Sequence, residues 1–386
     1  MDLTGSTVNP LLNRLASQYQ TPHVAMGLVT ALLIASISFS QPLFGYLYDR
    51  FRAYWLIPLA VVVGGGCLSC VGLIDSFALL LVLIIATGLA VGAFHPGGAA
   101  LAGRLADRRR PLVIGVFLCA GALGMAAAPL LITRLVDAQG LKATAWLFVL
   151  TMPVLIVALL VLRISRGLVK TGINAPPITH SLRQSILSRP LILLFSLATS
   201  RSFALYVCVS GMSFLMPEKI PGESQAFLST GVALCLFGLA MGLGGLISGV
   251  FVRPESEKSG IIISLVVGAP LLIAFPFLSG PWLILTLALA GVALNATGPL
   301  VIAIGQRMFP QSSALVSSIF MGLAWGISGV AAPLVVTLLG PVISYTWAMP
   351  LLIAGGLFLS LLATLLLPSV IQPAASSRLT PVSTKP

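Results

Sequence analysis

Two ionisable side chains lie inside long apolar segments of this sequence, where they could carry chemistry. His95 belongs to an apolar run at about 77–101, and Arg201 lies near the middle of another run at about 190–215. Histidine is the side chain that titrates nearest neutral pH, so His95 is a candidate proton carrier. A guanidinium inside an apolar run is costly unless it faces a partner or a watery cavity, so Arg201 is a candidate contact for an anionic substrate.

Each of these residues also has an ordinary structural interpretation. His95 precedes Pro96, which frees a backbone carbonyl, and a packing histidine at such a kink fits the sequence equally well. Arg201 could instead donate to the backbone carbonyls of a neighbouring helix. Two amides within apolar runs, Gln41 and Asn295, are candidates to line a pathway, although hydrogen bonding between helices is the commoner role of such amides.

The segments that hold these residues are long enough to cross a membrane. Of the 386 residues, 58% are hydrophobic and 8% are charged, a balance that a soluble globular domain could not bury. The apolar runs are continuous rather than alternating, which favours helices over a transmembrane β-barrel. We therefore predict an all-α polytopic membrane protein with about 11 transmembrane helices. The expected spans are at about 24–47, 55–73, 77–101, 111–133, 143–163, 190–215, 226–252, 260–278, 281–305, 312–339 and 344–368.

Basic residues in short loops predict the orientation of the helices, because such loops resist translocation. Most lysines and arginines fall in alternate loops, which we expect to be cytoplasmic together with the C-terminus. The net charge of +12 is then mainly a topology signal, and no basic stripe with interleaved aromatic residues points to nucleic acid. No removable signal peptide is recognisable. We expect a multi-pass protein of the inner (plasma) membrane, in contact with the lipid bilayer and a small-molecule substrate.

The sequence divides into two related halves. Residues 127–130 (Ala-Ala-Pro-Leu) recur at 331–334, and His95-Pro96 corresponds to Gly298-Pro299, at offsets of 204 and 203 residues. A duplicated six-helix unit of a transporter is expected to repeat on this scale. We predict an N-terminal bundle over residues 1–163, a cytoplasmic linker over 164–189, a C-terminal bundle over 190–368 and a disordered cytoplasmic tail over 369–386.

The repeat also predicts where the first helix of the N-terminal half lies. The counterpart of the run at 190–215 would extend from before residue 1 to about residue 11. We therefore expect most of the first of twelve helices to be missing, with residues 8–12 as its last turn. Eleven spans with a cytoplasmic C-terminus would place the N-terminus outside, as this plan requires. Two explanations fit the sequence: a start codon assigned too late, and a gene that is truncated.

The loop after the first span carries a recognisable motif. Residues 45–52 read Gly-Tyr-Leu-Tyr-Asp-Arg-Phe-Arg, which resembles the loop signature of the major facilitator superfamily. The resemblance implies the major facilitator fold of two pseudo-symmetric helical bundles that work as a monomer. It also implies a gating role in the alternation between outward-open and inward-open states for Gly45, Asp49, Arg50 and Arg52.

Asp49 is expected at the end of a helix, where its carboxylate can make specific contacts. A carboxylate at a helix end can accept hydrogen bonds from the amides of a neighbouring helix terminus and pair with a nearby guanidinium. The alternative is a solvated turn carboxylate, and Arg50 and Arg52 could be topology determinants alone. In the second half the corresponding loop has Arg253 in place of the aspartate, so the loop chemistry of the two halves is asymmetric.

A narrower resemblance comes from two further segments. Phe94-His95-Pro96, and residues 304–310 leading into 322–326, resemble the fosmidomycin-resistance type of efflux protein. This resemblance implies an antiporter that confers drug resistance, and it supplies the direction of export.

The sequence therefore favours secondary active transport. No nucleophile constellation, metal-ligand cluster or phosphate-binding loop is recognisable, so we expect neither an enzyme nor a metal site. We expect proton-coupled efflux of a small drug or metabolite, with an anion as the natural counter-ion of Arg201, driven by the proton gradient without a cofactor. The alternatives are proton-coupled uptake of a small metabolite and a truncated membrane protein that does not transport.

Overall fold

The computed structural model of the chain describes residues 1–21, 23–105, 109–170, 188–219 and 230–368, and these residues are almost entirely helical. The helices of the N-terminal half are α1 (Asp2–Ser6), α2 (Leu12–Tyr19), α3 (His23–Phe51), α4 (Leu56–Cys70), α5 (Phe77–Leu105), α6 (Arg110–Gln139) and α7 (Trp146–Lys170). Those of the C-terminal half are α8 (Arg189–Lys219), α9 (Thr230–Phe251), α10 (Glu257–Ala274), α11 (Gly280–Asn295), α12 (Thr297–Met308), α13 (Ser313–Ser318), α14 (Ala324–Ile343) and α15 (Tyr345–Leu366).

The lengths of these helices match the apolar runs of the sequence. Within the described residues, ten helical segments are long and apolar enough to cross a membrane, and α4 is an eleventh apolar helix of only 15 residues. Large apolar side chains cover the outside, such as Trp282 and Phe251, whose exposed fractions are 68% and 77%. A surface of this kind is stable where the surrounding solvent is lipid. The prediction of an all-α polytopic membrane protein is confirmed.

Two spans of the C-terminal half are interrupted along their length. Helix α11 ends at Asn295 and α12 begins at Thr297, two residues before Pro299, which has no backbone N–H to donate. A π-helical segment over Ile319–Leu323 separates α13 from α14. Ala296 keeps helical dihedral angles, so α11 and α12 continue one another with a local change in hydrogen bonding. π-Helical segments are frequent at functional sites, so the second position marks a candidate region for function.

The helices form two bundles that meet face to face. Helices α3, α5 and α6 of the N-terminal half pack against α9, α12 and α13 and the π-helical segment of the C-terminal half. Small residues allow this approach: a Cβ added to Gly115 of α6 would lie 2.5 Å from the carbonyl oxygen of Gly245 in α9. The bundles are therefore in backbone contact where they meet, a geometry in which small relative movements are possible without disrupting either core.

The first twenty residues lie within the N-terminal bundle. Helix α1 packs against α5 and α6, and after a 3-10 turn the chain continues as α2. Val8, Leu11 and Leu15 are almost completely buried in the core of this bundle. The helical structure thus extends to Tyr19. The sequence repeat had predicted that the first helix of this half ends at about residue 11.

The predicted linker and tail are described only at their edges. Of residues 164–189, the first seven belong to the end of α7, and α8 begins at Arg189. Residues 171–187 and the tail from residue 369 lie outside the described part of the chain.

Candidate functional site

Asp49 lies at the end of α3, where the two bundles meet. Its carboxylate accepts hydrogen bonds from the backbone amides of Ala314 (3.2 Å) and Leu315 (2.8 Å), in the first turn of α13. Amides at the start of a helix carry partial positive charge and attract a carboxylate. The Asp49 side chain is 1% exposed, so these bonds form away from water. Asp49 therefore joins the N-terminal bundle to a helix of the C-terminal bundle.

Arg104, near the end of α5, completes this contact. Its Nη2 lies 3.8 Å from Asp49 Oδ1 and 3.4 Å from Ser313 Oγ. Its guanidinium carbon is 5.5 Å from the centre of the Tyr54 ring, a cation–π distance. Burial raises the pKa of Tyr54 to about 12, so the phenol stays neutral beside the arginine. We call Asp49, Arg104 and the amides of residues 314 and 315 the latch.

The other residues of the predicted gating motif have different surroundings. A Cβ added to Gly45 would lie 2.8 Å from the Cα of Leu315, so α3 approaches the backbone of α13 too closely here for any residue but glycine. The guanidinium of Arg50 lies 5.8 Å from the ring of Phe51 within its own half. Arg52 occupies the turn after α3 with a φ of 51°. The guanidinium that pairs with Asp49 in the described part of the chain is that of Arg104. Sequence reasoning treated Arg104 only as a basic loop residue, although Arg104 and Arg307 occur one repeat length apart.

His95 is buried in α5 and contacts Asp2. Its Nδ1 lies 2.8 Å from the carbonyl oxygen of Val91, and its Nε2 lies 3.0 Å from Asp2 Oδ1. A carbonyl oxygen only accepts, so Nδ1 must carry a hydrogen. The contact between Nε2 and the carboxyl group then needs one more proton, which either residue can hold. The pair therefore holds one shared proton in this geometry.

Glycines of α6 make room for this pair. A Cβ added to Gly121 would lie 2.8 Å from Asp2 Oδ2, and one added to Gly124 would lie 3.1 Å from the backbone nitrogen of Leu3. The sequence placed Asp2 before the first predicted span, at about 24–47. His95 was therefore the one histidine or carboxylate that sequence reasoning assigned to a predicted span. The structure corrects this by bringing Asp2, at the start of α1, against His95.

Arg201 is buried in α8 and is 3% exposed. Its Nη1 donates to the carbonyl oxygen of Leu294 (3.3 Å) and to Oδ1 of Asn295 (2.9 Å), at the end of α11. The Nε–H has no acceptor among the described residues. The amide of Asn295 is itself oriented by donating to the carbonyl oxygen of Met241 in α9 (2.8 Å). Two of the predicted pathway residues, Arg201 and Asn295, thus form one contact, separate from the contact between His95 and Asp2.

Gln41 lies in α3 opposite the π-helical segment. Its side chain is 3% exposed, and a Cβ added to Gly322 would lie 2.6 Å from the Cβ of Gln41. Its Oε1 has no hydrogen-bond donor in the described part of the chain. The structure therefore places Gln41 in the contact between bundles, with neither His95 nor Arg201 as a hydrogen-bond partner.

A second polar bond between the bundles involves Gln306, at the end of α12. Its Nε2 donates to the carbonyl oxygen of Ala99 in α5 (3.0 Å) and to Ser317 Oγ (2.9 Å). Sequence reasoning noted Gln306 solely as part of a family motif, and the contact depends on how the two halves meet. The bond lies beside the latch and closes the same end of the molecule.

Comparisons with known proteins agree with this architecture. The family model of the Major Facilitator Superfamily matches residues 1–333. The fosmidomycin resistance protein of Escherichia coli (strain K12) is 25% identical over an alignment of 343 residues, with coverage of 86% of this chain and 81% of the relative. An uncharacterized MFS-type transporter of Bacillus subtilis (strain 168), YfnC, is 25% identical over 369 residues, covering 93% of this chain and 87% of the relative.

A solved structure shows the same fold. A variant of the Escherichia coli fucose:proton symporter FucP superposes with a TM-score of 0.68 and 14% sequence identity, covering 94% of this chain and 96% of that one. The family match extends over most of the described helices of both bundles. The chain belongs to the Major Facilitator Superfamily.

Proposed function

We propose that the protein is a proton-coupled secondary transporter of the inner membrane that exports a small drug or metabolite by alternating access. The observation that supports this best is the buried contact between Asp2 and His95, which holds one shared proton inside the N-terminal bundle. Histidine exchanges protons near neutral pH, and ionisable residues within membrane spans are typical of proton pathways.

Protonation of this pair would change the charge inside the bundle. With the shared proton the pair is neutral overall, and without it the pair carries one negative charge. A net charge buried among α1, α5 and α6 is costly unless water reaches it. The amino group of Met1 interacts with both residues and contributes to this charge. Exchange of the proton therefore shifts the balance between a closed conformation and one that hydrates the pair, which couples proton movement to the conformational cycle.

The latch supplies the second element of the cycle. We place the end of the molecule that carries the latch in the cytoplasm, because most basic loops lie on that side. The conformation described here, with the latch formed, is then closed toward the cytoplasm. Opening requires Asp49 to leave the amides of α13, so the latch contributes to the free-energy difference between the two states.

We propose export, rather than uptake, because one relative is named for resistance to fosmidomycin. The direct test is to express the protein in a fosmidomycin-sensitive bacterium and to measure the lowest concentration that stops growth. We expect that concentration to rise with the wild-type protein and to return to the background value with His95→Ala.

Proton coupling is tested with the purified protein in proteoliposomes that contain a pH-sensitive dye. A fosmidomycin gradient should drive proton flux through the wild-type protein but not through Asp2→Asn or His95→Ala. The matched control is Asp137→Asn, since that carboxylate is 60% exposed and pairs with Arg14 on the surface. Transport by His95→Ala with an unchanged pH profile would rule out this role for the pair, and accumulation rather than export would indicate uptake.

A further inference from the structure

Arg201 differs from three other arginines of the described residues in the charge of its partners. Arg104 lies near Asp49, Arg307 pairs with Glu257, and Arg14 pairs with Asp137. Both acceptors of Arg201 are uncharged, a backbone carbonyl and a side-chain amide. Its positive charge is therefore not balanced by any ion pair seen among the described residues.

The hydrogen bonds of Arg201 hold its guanidinium in a fixed orientation. Both bonds use Nη1, so they fix the plane of the group from one side. The opposite edge consists of Nε–H and Nη2, and the buried Nε–H has no acceptor in the described part of the chain. Two parallel N–H groups on this edge match the two oxygens of a carboxylate or phosphonate. The edge that an oxyanion would use is thus already oriented.

The position of Arg201 is suitable for contact with a transported molecule. It is twelve residues from the start of α8, or about 18 Å along the helix, which is near the middle of a bilayer. Its partner Asn295 lies at the interruption between α11 and α12. Gly298 lies about one helical turn after Asn295, and a Cβ added to it would lie 3.7 Å from Leu118 of α6 in the N-terminal bundle. The site is therefore close to the surface along which the two bundles meet.

We infer that Arg201 and Asn295 form the binding site for one oxyanionic group of the substrate, a carboxylate or a phosphonate. The inference rests on the proposed function, because it identifies the chemical class of the exported molecule. Arg201 supplies the charge and the bidentate edge, and Asn295 is a positioning residue that holds the guanidinium by its Nη1. A neutral molecule of the same shape would leave the guanidinium without a counter-ion and would bind more weakly.

The first experiment compares anionic and neutral probes of equal size on the purified full-length protein. Phenylphosphonate and benzoate, at millimolar concentrations, should raise the melting temperature of the wild-type protein, and benzamide should not. Arg201→Gln should remove the response to the anions. Arg253→Gln, which removes an exposed arginine from a loop, should keep it. Equal responses to benzoate and benzamide in the wild-type protein, or an anion response retained by Arg201→Gln, would overturn the inference.

A second variant keeps the arginine and still tests the site. Asn295→Asp places a carboxylate where Oδ1 now lies 2.9 Å from Nη1 and so provides an internal counter-ion. The variant also loses the bond that Nδ2 donates to Met241, so its melting temperature without ligand is not the readout. We expect it to bind the anionic probes at least tenfold more weakly, a change of about 1.4 kcal/mol. A purely structural Arg201 predicts an unchanged response to anions, and that result would contradict the site.

Transport measurements separate this inference from the proposed function. If the anion response is present and depends on Arg201, but the proteoliposomes show no substrate-driven proton flux, the site stands and the proposed function fails. If substrate-driven proton flux occurs, but Arg201→Gln keeps the same preference for anionic over neutral substrates, the proposed function stands and the site is wrong.

Discussion

In the N-terminal half, Asp2 of α1 contacts His95 of α5, and in the C-terminal half Arg201 of α8 contacts Asn295 of α11. The two halves thus place a polar pair between corresponding helices. One pair combines a carboxylate with an imidazole, and the other combines a guanidinium with an amide. The shared architecture determines which helices meet, whereas the side chains determine whether a proton or an anion would be held there.

A second comparison concerns Arg104 and Arg307, which occur 203 residues apart. Arg104 lies beside Asp49 and Ser313 and so takes part in a contact between the bundles. Arg307 pairs with the buried Glu257, at the start of α10 in its own half. The ion pair of Arg104 thus joins the two bundles, whereas the ion pair between Arg307 and Glu257 lies within one half.

The largest expected effect is that of Asp49→Ala, which removes both bonds of the carboxylate to α13. Hydrogen bonds to charged groups contribute about 1.5–3 kcal/mol each, so the closed state should lose about 3–6 kcal/mol relative to the open one. Spin labels at positions 51 and 251, both exposed, report the separation of the bundles at this end. In a background without the native cysteines, we expect the distance between the labels to increase. An unchanged distance distribution would mean that the latch does not control this end.

Glu257→Gln should have a comparable effect on stability and none on the separation of the bundles. Removing one partner of a buried ion pair costs about 3–5 kcal/mol, and we expect the lower end of this range here because the Arg307 side chain is 26% exposed. We therefore expect a lower melting temperature and the wild-type distance between the same two labels. Glu255→Gln, in the exposed turn before α10, is the matched control and should melt like the wild-type protein. An opened end in Glu257→Gln would show that this ion pair also helps to hold the two bundles together.

Gly121→Ala tests the proton-sharing pair without altering either of its members. The added methyl group would lie 2.8 Å from Asp2 Oδ2 and should displace it, at a cost of about 1–3 kcal/mol for overpacking. Separating the carboxylate from His95 removes the attraction that favours the shared proton, so the pH midpoint of transport should move to lower pH. Gly238→Ala, where an added Cβ meets no atom within 4 Å, should keep the wild-type midpoint. The same midpoint in both variants would argue against the pair.

The smallest effect is expected at the bond between Gln306 and Ala99. A neutral hydrogen bond contributes about 0.5–1.5 kcal/mol, so Gln306→Ala should populate the open state slightly. Gly103→Ala should open the same end more strongly, because its methyl group would collide with the amide of Gln306. The double variant should be less open than Gly103→Ala alone, since shortening the glutamine removes the collision. Additive effects in the spin-label distances would contradict this contact.

The sequence predicted the helices well because each span depends mainly on its own apolar residues. It also predicted the kind of contact that Asp49 makes, since a carboxylate at a helix end favours amides of a neighbouring helix. It did not identify Arg104 or Asp2, because both act across helices that are far apart in the chain. The end of the first helix was placed too early, since the polar residues of α2 interrupt the apolar pattern although Leu15 is buried.

The opposite charges at the two sites would make each transport cycle sensitive to the membrane voltage. A proton that enters and a monoanion that leaves both carry positive charge inward, so one exchange moves the equivalent of two elementary charges. Each charge is worth about 2.3 kcal/mol per 100 mV, so the voltage would contribute about 4.6 kcal/mol per cycle at that potential. A cell could then keep exporting an anion through Arg201 even with equal pH on both sides of the membrane.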